Sequence, residues 1–238
     1  MAKRKRWTIT SDKFLSVDQI KRLFEALTLE RDLAIARSCN EPAIRDYYGI
    51  RTLLETGLRE FEFCSLVSSD FQGQKLNVRH GKGNKPRTVL LTKSTAIMIN
   101  EWKTVKNKLG FDTSDGSPLF PSRSGGHYST RGLRKRIKLV FQKLGFPPHL
   151  SGHSLRHTHC SMLLETKKVS IATVRNNLGH SSIAITDLYS HAIGSFSDDI
   201  DLYPEASSDL SVKSELRKKK SSTSEGNLIT TYLRKRNH

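Results

Sequence analysis

Residues 129–144 leave little choice of conformation. Leu133, Ile137, Val140, Phe141 and Leu144 recur at helical spacing and make one apolar stripe. Arg131, Arg134, Lys135, Arg136, Lys138 and Lys143 occupy other positions, and no acid stands among them. The segment is therefore a helix with one face in a core and the other in water or on an anion. A charge run is usually a solvated face, but this chain carries a net charge of +17, which favours a polyanionic partner, above all DNA. A membrane surface would want a basic amphipathic helix with aromatic anchors, and none is found. No apolar run has the length of a membrane span and no signal-peptide pattern follows the basic N-terminus, so a cytoplasmic location is expected. Cys39, Cys64 and Cys160 are odd in number and lie in apolar segments, which reads as reduced core thiols rather than a disulfide framework.

The other segments are mostly helical by the same criterion. Ser16 and Gln19 form a capping-box start, and Ile20, Leu23, Phe24 and Leu27 predict a helix to about residue 27. A second is expected over 30–37. A third starts near Pro42 and stops at Gly57, and a short one follows over 59–66 with Phe61 and Leu66 facing inward. Leu76 and Val78, then Thr88 to Leu91, predict two strands around the turn-rich Gly81-Lys82-Gly83-Asn84-Lys85-Pro86, a hairpin with lysines at its tip. A helix over 94–109 carries Ile97, Ile99, Trp102 and Val105, and a loop follows to residue 127. Further helices are expected after His153 and near 171–177. The fold class is mainly α with a small antiparallel β-hairpin or sheet. The charged arm 1–12 and the tail 196–238 flank it, and residues beyond about 206 are expected to be disordered in isolation.

The chemistry-bearing residues have bland readings singly. Arg59 can be a surface residue past a helix end, and Lys82 and Lys85 ordinary tip charges. His153, His157, His159 and Cys160 suggest a metal, but ligands on one continuous helix cannot close a tetrahedron and no CxxC partner exists. Together they fit one reaction. Arg59 and Arg156 can clamp the non-bridging oxygens of one phosphate, and His153 lies three residues before Arg156 on a shared helix face. Lys82 on a flexible tip can protonate a leaving oxygen. In residues 178–191, His180 can donate to the same phosphate beside Tyr189, a weak nucleophile that attacks only where its product charge is stabilised. Such a site is built from positive donors alone, and no metal or other cofactor is implied.

Thr56-Gly57-Leu58-Arg59-Glu60-Phe61-Glu62, Gly81-Lys82-Gly83-Asn84-Lys85, His153-Ser154-Leu155-Arg156-His157, and Leu178-Gly179-His180-Ser181 with Tyr189 resemble, in that order, the boxes of the tyrosine recombinase (phage integrase) family. The resemblance covers about residues 13–195 and implies the family's catalytic domain. It implies that Arg59, Arg156 and His180 polarise the scissile phosphate, and that Lys82 (with Lys85 as the alternative) is the general acid. His153 would assist proton transfer at Tyr189, which forms a 3′-phosphotyrosyl bond, and Glu62 would orient other site residues. Lys85, Arg87, Arg131, Arg134, Lys135, Arg136 and Lys138 are candidate DNA contacts. Double-stranded DNA is the expected partner, with a homotetramer forming on it. Family members commonly carry an N-terminal helical clamp, and only about a dozen residues precede the first helix here. A truncation, the basic arm and tail, or a second protein supplying the clamp are the alternatives. Ile200, Leu202 and Tyr203 can dock on a neighbouring protomer or pack in cis. Two other functions compete: a type IB topoisomerase-like relaxing activity, and a DNA-binding accessory or regulatory protein on the same fold.

Overall fold

The computed structural model describes residues 11–37, 41–81 and 85–165. Ser16 begins the first helix: its Oγ accepts from the Gln19 amide at 3.2 Å, and the Gln19 side chain accepts from the Ser16 amide at 2.9 Å. Two orphan donors are satisfied at once. Helix α1 then runs unbroken over Val17–Ala36, where the sequence reading divides it near residue 28. Thr28 and Leu29 are not breakers, and beyond them Ala34 stays buried while Arg31 stacks on the Tyr47 ring at 3.9 Å, so tertiary packing carries the helix through.

Helix α2 (Glu41–Thr56) is the element on which the others pack, touching α1 and the later helices alike. It is buried almost throughout, so its polar groups must find partners inside. Arg51 donates to Glu55 at 2.9 Å and to the Tyr47 hydroxyl at 2.5 Å, and the second Glu55 oxygen accepts from Thr95 at 2.8 Å. Gly57 ends the helix at φ +62°, a conformation that a Cβ disfavours.

Helix α3 (Glu60–Ser65) is shifted in phase from expectation. Phe61 is 59% exposed, while Phe63 is buried and stacks on Phe120 at 4.6 Å. The burial of Glu62 and Phe63 fixes the phase and turns Phe61 outward. A two-residue strand β1 (Phe71–Gln72) joins β2 (Lys75–Val78) and β3 (Arg87–Leu90) in an antiparallel sheet of order β1-β2-β3. Two residues carry no alternation, which is why β1 was not legible. Leu76 pairs with Val89 and Val78 with Arg87, and Leu76, Val78 and Val89 all face the core.

Helix α4 (Lys93–Lys108) buries Met98, Ile99 and Trp102 and leaves Ile97 48% exposed. Its inward stripe ends on Lys106, 1% exposed, whose ammonium donates to Ser68 Oγ, Ser117 Oγ and the Pro118 carbonyl. The loop behind α4 is anchored by Trp102 Nε1 donating to the Leu119 carbonyl at 2.7 Å. Helix α5 (Thr130–Lys143) is capped by Ser129 and buries the expected stripe, with Leu144 half-buried beyond its end. Helix α6 (Gly152–Glu165) lies against α2, and Thr158 Oγ1 accepts from the Leu15 amide at 2.9 Å. Cys64 and Cys160 are buried free thiols. Cys39, the segment 171–177, residues 1–10 of the arm and the tail lie outside the described residues. No helix among the described residues is long and apolar enough to cross a membrane.

Candidate active site

The end of α2 and the start of α3 present Arg59 from a short connection, so its position is set by two helix termini. Arg59 occupies the N-cap of α3, and Glu62 reaches back to it: one carboxylate oxygen accepts from the Arg59 amide and the other from its Nη1, each at 2.8 Å. Arg87 on β3 meets the same carboxylate with both terminal nitrogens at 2.7 Å. Glu62 is 1% exposed. Burial opposes its ionisation, but hydrogen bonds from Arg87 and from the Arg59 backbone outweigh that and hold the carboxyl below its ordinary range.

Arg156 projects from α6 towards the same junction, and its Nη1 donates to the Gly57 carbonyl at 2.5 Å. It is 7% exposed; burial first, then repulsion from Arg59 and Arg87 against attraction from Glu62, pull its ionisation down to about 9. Arg59 and Arg87 thus share one carboxylate, and the Arg156 guanidinium lies close enough to feel all three charges. The excess positive charge, in a low-dielectric setting with arginine's fork geometry, suits an oxyanion such as phosphate.

His153 stands exposed in the first turn of α6, its ring 6.1 Å from that of His157. His157 is half-buried, and burial, His153, Arg156 and Lys13 all disfavour its protonation. His159 is buried and pushed down to about 3 by burial and Arg156, so it is a neutral core residue. Among the described residues no group of His, Cys, Asp and Glu converges to hold a metal.

Of the residues singled out in the sequence, Arg59, Glu62, Arg156 and His153 are thus drawn to the junction of α3 and α6. Lys82, His180 and Tyr189 lie outside the described residues. Lys85 is exposed beside the hairpin turn; a Cβ on Gly81 would lie 2.3 Å from the Lys85 carbonyl oxygen, so only glycine permits this approach of the two arms. Arg87, read from the sequence as a DNA contact, directs its guanidinium at Glu62. The signal was available: Arg87 shares a strand face with Val89, two residues on, which is buried.

The basic face of α5 is also less uniform than its sequence. Arg134 pairs with Glu60 of α3 at 2.6 Å, Arg136 with Asp46 of α2, and Lys143 with Glu30 of α1 at 2.9 Å. The absence of acids within the segment is therefore offset by acids from three other helices. Arg131, Lys135 and Lys138 remain exposed.

Residues 13–194 match the model of the phage integrase family. A tyrosine recombinase XerC of Alcanivorax borkumensis is 34% identical over 182 residues, covering 75% of this chain and 55% of the relative. The crystal structure of XerA recombinase superposes with a TM-score of 0.58 at 28% identity, covering 84% of this chain and 64% of that one. XerH site-specific recombinase bound to its difH substrate has the same fold, with a TM-score of 0.58 at 24% identity, over 75% of this chain and 50% of that one. The chain spans about half the length of the curated relatives it matches.

Proposed function

The chain belongs to the phage integrase family, and on that premise we propose that it is a site-specific DNA recombinase working through a 3′-phosphotyrosyl intermediate. The observation that supports this reading is the gathering of Arg59, Arg87 and Arg156 near Glu62, an excess of positive charge that suits a single phosphate. Arg59 and Arg156 bind the non-bridging oxygens, with His180 as a further donor. The Tyr189 oxygen attacks phosphorus while the bond to the 5′ oxygen breaks. His153 takes up the tyrosine proton, and Lys82 gives one to the leaving 5′ oxygen. The phosphodiester bond is conserved as a tyrosyl ester, so a 5′ hydroxyl of another strand can reverse the step without an external energy source.

Residues 13–195 form the catalytic unit in this reading, flanked by the arm 1–12 and the tail 196–238. Double-stranded DNA lies along Lys85, Arg131, Lys135 and Lys138, and a homotetramer assembles on it. The test is a set of nicked suicide duplexes tiled across the DNA flanking the gene. Wild type forms a denaturation-resistant covalent complex that EDTA does not suppress, and Tyr189→Phe forms none. A protein that binds these duplexes yet never becomes attached to them is not a recombinase; equal trapping by Tyr189→Phe would move the nucleophile to another tyrosine.

A further inference from the structure

Glu60 immediately follows Arg59, and its side chain is turned inward, 7% exposed, at the point where α3, α5 and α6 meet. One carboxylate oxygen accepts from Arg134 Nε of α5 at 2.6 Å. The other lies so close to Gly152, the first residue of α6, that a Cβ there would stand 2.5 Å from it and 3.1 Å from Ile137 Cδ1. The positive end of α6 thus lies against the Glu60 carboxylate, an arrangement the helix dipole favours, and a Cβ on Gly152 would push that carboxylate off its place. From this contact we infer that Glu60 is a positioning residue: it fixes the first turn of α6, and with it His153 and Arg156, relative to Arg59.

Arg134 extends the same link outward. Its side chain is 66% exposed although Nε is bonded to Glu60, and a guanidinium offers further donors in a fixed fork. A phosphate meeting α5 can therefore engage Arg134 without displacing Glu60, and the DNA-facing helix is coupled to the catalytic arginines through one carboxylate. The catalytic consequence rests on the strand-exchange reading; the mechanical link does not.

Two measurements on the full chain separate these. Amide hydrogen exchange, without DNA, is read at Ser154 and Leu155, whose N–H groups bond to the Ser151 carbonyl. The rate of covalent attachment is read at saturating concentrations of the nicked suicide duplexes. Glu60→Gln, which keeps shape and removes charge, is expected to raise exchange at these amides about tenfold. It is expected to slow attachment roughly 10- to 100-fold while DNA affinity changes less than about twofold. Gly152→Ala should do the same, and if it does not fold, Glu60→Gln decides. Unchanged exchange in Glu60→Gln overturns the inference whether or not the wild type is active. Raised exchange with an unaltered attachment rate overturns the positioning role. A wild type that never attaches to DNA sinks the strand-exchange reading instead, and exchange alone then judges whether Glu60 holds α6.

Discussion

Arg87 grips Glu62 at two points, both terminal nitrogens at 2.7 Å, and the same carboxylate holds Arg59 through its backbone and side chain. The third strand of the sheet is thereby locked to Glu62 across 25 positions of sequence, and through it to Arg59, which leads α3. Glu62→Gln would remove the buried carboxylate that Arg59 and Arg87 share beside Arg156. A loss of about 3–5 kcal/mol in denaturant unfolding is expected, as for other broken buried pairs. Because the folded state holds the Glu62 carboxyl below its ordinary range, its stabilisation is complete above that range and disappears as pH falls through the lowered value. Wild type and variant should therefore converge in stability in acid; a gap that persists there would sink the assignment.

The two kinds of cation on α5 should separate in experiment. Arg136→Ala removes the hydrogen-bonding partner of the buried Asp46 carboxyl and is expected to cost about 1–3 kcal/mol of stability. Lys135→Ala and Lys138→Ala are expected to leave the melting temperature unchanged while weakening DNA binding and reducing the slope of log K against log salt by about one each. Fluorescence anisotropy across a salt series checks this. An unchanged slope would remove α5 from the DNA surface.

An oxyanion should stabilise the chain in the absence of DNA. Burial and the neighbouring Arg59 and Arg87 disfavour the charge on Arg156, and a phosphate-like group between them offsets that repulsion. Inorganic phosphate or orthovanadate at about 100 times its dissociation constant is expected to add about 2.7 kcal/mol, visible as a raised melting temperature. The shift should vanish in Arg156→Met. An equal shift in that variant would mean the anion binds elsewhere.

Lys106 gives a pH dependence of opposite sign to that of Glu62. Its ammonium is buried among neutral acceptors, and burial pushes its ionisation down to about 8. Between that value and the ordinary lysine range the unfolded chain binds more protons than the folded one, so stability rises with pH there. Measured against Lys106→Met, wild type is expected to gain melting temperature from pH 7.5 to about 10. A gap that is flat over this window would exclude the effect.

Local signals and long-range pairings divide what was legible. The Ser16 capping box, the stop at Gly57, the stripe of α5 and the hairpin before Val89 depend on neighbours within a few residues, and each appears where the sequence places it. Where phase depends on what lies opposite, the sequence misleads. Phe61 is apolar yet exposed, because Phe63 claims the inward position. The continuity of α1 past residue 28 likewise comes from Arg31 stacking on Tyr47, a contact with another helix.

For the site itself, residue type and order alone pointed to a phosphate held by Arg59 and Arg156, since few side chains can clamp an oxyanion. Only the tertiary structure decided which of the basic side chains meet acids of the protein itself. Arg87 goes to Glu62, Arg134 to Glu60 and Arg136 to Asp46, partners 25, 74 and 90 positions away. An ion pair depends on the distance between two charges in space, and sequence separation carries no record of that distance until the helices have packed.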